Sequence, residues 1–317
     1  MAHRSGSKAA IAFAFACVYL CWGMTYGAIR IAVEHMAPPL VGALRCLLST
    51  AVFAVICMAR GISLRVTRRT AWQLALVGVL IMSVNNVLLI WAESMVPSGW
   101  ASVVIAMIPI LVAVMETMLP NGETLNAYGW AGTVLGAAGI LALLWPSLHS
   151  VARGTRAQDD TRTLLGFVIL SFAALAFAVG SVLARRFRFQ INTFVATAWQ
   201  IGVAGLVNLV IALAGGTLRT AHFTRNAVLA VVFLAIFGTV VGLTAYTYLL
   251  QHVPVTKVST YAFVNPVIAV LLGVVVLHEH LGPAEFLGMG LILIAVATVI
   301  RSRTRTVPLD SDPEFAA

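Results

Sequence analysis

Trp22, Asn86 and Asn265 put hydrogen-bonding groups where the surrounding chain has almost none, each well inside a long apolar run. At about 1.5 Å per helical residue, Trp22 lies about 20 Å into its run, and Asn86 and Asn265 each lie about 14 Å from one end of theirs. All three fall near the middle of a hydrocarbon layer about 30 Å thick. Polar groups at that depth face a neighbouring helix or a wet cavity, because lipid offers no partner. Helical spacing adds neighbours. Lys257, Tyr261 and Asn265 share one face, Asn86 and Glu93 another, Thr239, Gly242 and Tyr246 a third, and Trp22 and Thr25 a fourth. With Tyr26, Asn85, Trp100 and Gln200 they form a candidate substrate pathway. The chemistry they offer is recognition: hydrogen bonds, ring stacking, or a cation held on an aromatic face. The competing role, fastening helices to one another, stays open.

Arg45 lies about 9 Å into its run, and a charge at that depth needs a partner or an escape route. Glu93, in the adjacent run, is the candidate partner; the alternatives are that Arg45 reaches out to the lipid headgroups, and that Glu93 carries a proton. Pro109 and Pro266 fall inside apolar runs, where a missing N–H bends a helix, so each is a candidate hinge or a static bend.

Nothing here points to bond-making chemistry. The sequence has no His-Glu-x-x-His, no Gly-x-Ser-x-Gly, no phosphate loop and no pair of embedded carboxylates, so it predicts neither an enzyme nor a cofactor. Cys17, Cys21, Cys46 and Cys57 sit in apolar runs without metal-ligand spacing and read as small hydrophobes. His278 and His280 are too few for a metal site. The net charge of +9 comes from Lys and Arg in short links between apolar runs, not from a basic platform, which argues against a nucleic-acid partner.

The elements that must position these residues follow from composition. Of the 317 residues 61% are hydrophobic and 10% charged, with a mean hydropathy of +0.98. Soluble domains carry about 25% charged residues, so the bilayer is the expected solvent. Ten apolar stretches, 9–29, 39–59, 72–95, 99–119, 127–145, 164–184, 193–214, 226–250, 256–277 and 282–300, predict an all-α integral membrane protein of ten transmembrane helices. Residues 146–163 form the longest polar link and divide the chain nearly in half. Thirteen of the twenty Lys and Arg fall on the side of the N-terminus, six on the other, and Arg45 lies within a helix. That bias places residues 1–8 and the tail 301–317 in the cytoplasm and the 146–163 linker in the periplasm.

The halves repeat. Pro109 precedes Glu123, Leu125 and Gly132 as Pro266 precedes Glu279, Leu281 and Gly288, both with the pattern Glu-x-Leu-x6-Gly. Five crossings per half turn the second half upside down, so 9–145 and 164–300 are expected to be two inverted five-helix repeats, an arrangement of alternating-access transporters. Glu123 and Glu279 would open helices, where a carboxylate suits the positive end of the dipole.

At these residues, and at Trp22-Gly23, Tyr26, Arg30, Arg45, Val96-Pro97-Ser98-Gly99, Ala198-Trp199-Gln200, Ala245-Tyr246 and Tyr261-Ala262-Phe263-Val264-Asn265-Pro266, the chain resembles the EamA domain of the drug/metabolite transporter superfamily, and in particular its YedA-like exporters. The pair Asn121-Gly122 before Glu123 departs from that pattern. The resemblance implies a bacterial inner-membrane protein that exports small organic metabolites, amino acids or amphipathic compounds among them. Export would be driven by protons or by the substrate gradient, with the chain working as a monomer or a homodimer. The rival expectation is a membrane scaffold or sensor subunit that transports nothing.

Overall fold

The computed structural model describes residues 7–120, 124–152, 157–187, 189–253, 258, 260–276, 278 and 282–304. Among them there is helix and no strand. In chain order the helices are α1 (Lys8–Val33), α2 (Pro38–Ala59), α3 (Arg68–Glu93), α4 (Ser98–Met118), α5 (Ala127–Ala152), α6 (Ala157–Phe187), α7 (Thr193–Ala214), α8 (Arg225–Leu249), α9 (Tyr261–Val275) and α10 (Pro283–Thr304). The first eight contain stretches long and apolar enough to cross a membrane. The apolar parts of the last two, Val264–Val275 and Phe286–Ser302, are shorter. Glu123, Glu279, Leu281 and Lys257, with residues 1–6 and 305–317 of the termini, lie outside the described residues.

The helices begin where local chemistry tells them to. Thr67 and Thr224 precede α3 and α8, and each hydroxyl accepts the N–H three residues on, from Thr70 at 3.2 Å and Ala227 at 3.3 Å. Pro38 opens α2 behind an extended Ala37, a position where its missing N–H costs nothing. The polar link read over 146–163 is shorter as structure, because α5 runs through Pro146 to Ala152 and α6 starts at Ala157. The two prolines differ. α4 is interrupted at Ala106–Met107, just before Pro109, whereas Pro266 sits inside the continuous α9. Apolar pattern alone does not distinguish the two, since it records where a helix is buried and not where its backbone ladder breaks.

Small residues set how closely the helices approach. α5 and α10 pack along a glycine seam. A Cβ added at Gly139 would stand 3.0 Å from the Gly288 carbonyl oxygen, and one at Gly288 would stand 2.8 Å from that of Gly139. At the α3–α7 crossing a Cβ on Gly78 would lie 2.7 Å from the Gln200 Cα. Contacts follow a rule: α2 meets α7, α5 meets α10 and α4 meets α9. Likewise α1 meets α8 and α9 as α6 meets α3 and α4. Trp72, Trp130 and Trp145 stay exposed on the outside of the bundle, 70%, 47% and 63% of each accessible.

The third helix of each half is not α-helical throughout. α3 is π-helical over Val79–Val84 and α8 over Leu234–Val241. Both segments begin about 14–17 Å from the helix start, near mid-membrane depth. A π turn adds a residue to the turn and disturbs the ladder of backbone hydrogen bonds, and such turns often mark functional sites.

Candidate functional site

Carbonyls of the two π-helical segments take up side chains. In α3, Asn86 Nδ2 donates to the Ile81 carbonyl at 3.2 Å. In α8, the Thr239 hydroxyl donates to the Leu234 carbonyl at 2.9 Å, again five residues back. Ser49 of α2 donates to the Ala235 carbonyl at 3.1 Å, and Trp22 Nε1 of α1 to the Gly238 carbonyl at 3.0 Å.

Arg45 of α2 stands between the segments. Its Nε donates to Thr239 Oγ1 at 2.9 Å and its Nη1 to Asn86 Oδ1 at 3.1 Å. One guanidinium thus links Thr239, inside the π segment of α8, to Asn86, which follows the π segment of α3 and bonds back into it. Glu93, fully buried, is close enough to act electrostatically on Arg45 and on Tyr26. Arg30 adds a second cation by donating to the Glu93 backbone carbonyl.

On the other side of Gly238 the rings of Trp22, Tyr246 and Tyr261 close into a cluster drawn from α1, α8 and α9. Trp22 lies 5.2 Å from Tyr246 and 5.0 Å from Tyr261 between centroids, and the two tyrosines are 5.7 Å apart, edge to face. Gly242 admits the indole, since a Cβ there would stand 2.8 Å from Trp22 Cδ1. Thr25 is tied to its own helix through the Trp22 carbonyl, and its methyl lies against Gly238.

The structure therefore brings Trp22, Thr25, Tyr26, Arg45, Asn86, Glu93, Tyr246 and Tyr261 into one region. Four expected members stand elsewhere in the packing. Trp100 is 5% exposed and packs on Phe167 at 5.4 Å, with its indole N–H unpaired. Gln200 meets α3 through its backbone at Gly78. Asn85 is buried beside Asn86 but on a different face of α3, with its Nδ2 unpaired. Asn265 is buried in α9, where its Oδ1 has no hydrogen-bond partner. Ser49, Ser83, Asn208 and Gly238 escaped the sequence reading. Ser83 donates to Asn208 Oδ1 between α3 and α7, and Ser49 donates to the Arg45 carbonyl at 2.7 Å as well as to Ala235. Ser49 follows Arg45 by four residues, a spacing that could have drawn attention to it. Serines otherwise read as small packing residues.

A recess lies at the ends of α1 and α3 and in the link after α7, on the face expected to be periplasmic. It measures about 320 Å³ and is lined by Glu34, His35, Trp91, Ser94, Thr220 and His222 among others. There the His222 N–H donates to the His35 carbonyl at 2.9 Å.

Comparison with known proteins adds to this geometry. Residues 9–145 and 164–301 each match the EamA-like transporter family. The chain is 31% identical over 283 residues to the uncharacterized inner membrane transporter YedA of Escherichia coli strain K12, covering 89% of this chain and 88% of that one. It is 24% identical over 282 residues to an uncharacterized transporter of Archaeoglobus fulgidus, covering 89% and 95%. A crystal structure 21% identical in sequence superposes with a TM-score of 0.63, covering 94% of this chain and 100% of the other, so the two share a fold.

Proposed function

The chain belongs to the EamA-like transporter family and is a membrane transporter, and from that premise we propose that it exports small organic metabolites, amino acids or amphipathic compounds, across the inner membrane by alternating access. In this reading ten helices cross the bilayer as two inverted repeats, 9–145 and 164–300, joined by a periplasmic linker, with both termini cytoplasmic. The helix contacts support the repeats: each cross-half contact named above maps onto another, or onto itself, when every helix is exchanged for the one five places away. Paired π-helical segments in α3 and α8 support them too.

The observation that carries the transport path is the meeting of α1, α2, α3, α8 and α9 around Arg45 and the three-ring cluster. Groups from both halves converge at mid-membrane depth, where inverted-repeat transporters hold their substrates. Asn265, Trp100, Asn85 and Gln200 extend the path along the bundle, and Pro109 and Pro266 act as hinges.

Counterflow of labelled amino acids in proteoliposomes tests the activity. Trp22→Ala and Tyr261→Ala are each expected to lower transport about tenfold, since ring contacts of this kind contribute about 0.5–1.5 kcal/mol apiece, and Asn265→Ala is expected to lower it as well, while membrane abundance stays near the parent's. Loss of protein instead of activity would show that these residues only fasten helices.

Orientation has its own test. Reporter fusions after Arg69 and after Arg186 are expected to report cytoplasm, and one at Asp160 the periplasm. A cytoplasmic signal at Asp160 would overturn the count of five crossings before it.

A further inference from the structure

We propose that Arg45 is a latch with two sets of partners: Asn86 of α3 and Thr239 of α8, through which it links the two π-helical regions, and, in transport, a carboxylate on the transported molecule, which releases both at once. The inference rests on the export reading above and gives its substrate one chemical requirement.

The bridge is built for exchange. Its two hydrogen bonds engage two of the five N–H groups of a guanidinium, and both acceptors are neutral. A carboxylate matches the guanidinium fork in a bidentate way, and such charge-assisted bonds are roughly twice as strong as neutral ones. It would displace Asn86 and Thr239 rather than join them. Gly238 lies beside Arg45, and the Thr25 methyl packed on that glycine must give way as the carboxylate arrives.

A guanidinium carries one positive charge, so a single carboxylate is the matching group. The rings of Trp22, Tyr246 and Tyr261 flank Gly238 and Gly242, so the carboxylate arrives on a molecule with an apolar or aromatic body.

Release has a mechanical meaning because both acceptors hold their own helices. Asn86 and Thr239 each bond a carbonyl five residues back that belongs to the π segment of its own helix. Removing Arg45 from both loosens the two turns together, one in each half.

The test uses the full-length protein in lipid vesicles, with 3-phenylpropionate as the probe and 3-phenylpropanamide as its neutral counterpart. Amide hydrogen exchange reads the residues of Val79–Val84 and Leu234–Val241. The acid is expected to speed exchange in both segments about tenfold, the scale of one neutral hydrogen bond lost from each, and the amide to leave it unchanged. Arg45→Gln should raise basal exchange in both segments and weaken binding of the acid about tenfold or more. Thr239→Val and Asn86→Ala should do the opposite to affinity and bind the acid about fivefold more tightly, because a competitor for the guanidinium is gone. A merely structural Arg45 would not give that tightening. Arg45→Lys, which keeps the charge without the fork, should bind the acid more weakly than the parent but better than Arg45→Gln. Equal response to acid and amide, response in one segment only, no response to the acid, or weaker binding in Thr239→Val overturns the latch. Failure of the export reading shows separately: neither probe would then exchange across the vesicle membrane, whatever the exchange data report.

Discussion

Gly78→Val is expected to lower the amount of folded protein in the membrane at least about fivefold and to leave the remainder denaturing at a lower temperature in detergent. The new Cβ would fall 2.7 Å from the Gln200 Cα and 2.8 Å from its carbonyl carbon. These are backbone atoms of a helix and cannot turn aside, so α3 and α7 must separate along their whole crossing. Overpacking of this kind costs about 1–3 kcal/mol and sometimes more. Gly78→Ala should suffer less, because alanine recovers up to about 1 kcal/mol of helix propensity over glycine. Gly27→Ala and Gly290→Ala are the controls, since a Cβ at either meets nothing within 4 Å, and both should match or slightly exceed the parent. A Gly78→Val protein that accumulates normally and melts where the parent melts would show that α3 and α7 do not pack as described.

That glycine shows what the sequence reveals and what it hides. The positions of the apolar stretches were legible, because burying helices in lipid leaves long runs without charge. So was the placement of Trp22, Asn86 and Arg45 inside helices, away from their ends. The choice among partners was not. Arg45 directly reaches Asn86 and Thr239, on helices far apart in the chain, and the acceptors are positioned by π turns that carry no proline or other local signal. Asn208 and Ser83 form a contact between α3 and α7 that spacing within either helix does not disclose. Gln200 was expected on the substrate pathway, but the crossing at Gly78 involves its backbone.

Arg45→Gln and Glu93→Gln are each expected to impair folding and transport strongly, and the double variant to lose less than the two single losses combined. Glu93 is fully buried and acts on Arg45 electrostatically. Removing one member of such a pair strands the other charge and typically costs about 3–5 kcal/mol. Removing both takes the stranded charge away, so the cycle should show a coupling of about 0.5–3 kcal/mol. Membrane abundance and pH-driven transport are the measurements. If Glu93 instead carries the coupling proton, Glu93→Gln will fold, exchange substrate and lose only the pH dependence of net export. Small, strictly additive losses with an unchanged pH response would mean that neither charge depends on the other.

The π turns have one more consequence, which is rotational. Each holds a residue more than the α turn that could replace it. Winding the surplus residue out of the Val79–Val84 turn turns the chain beyond it by about 100° and slides it by about 1.5 Å, one step of an α-helix. At the end of that turn stand two consecutive asparagines. Asn86 now faces Arg45, while Asn85 is buried with an unpaired amide. One step of the screw replaces one asparagine by the other, so a small axial shift becomes a change of the side chain that meets Arg45.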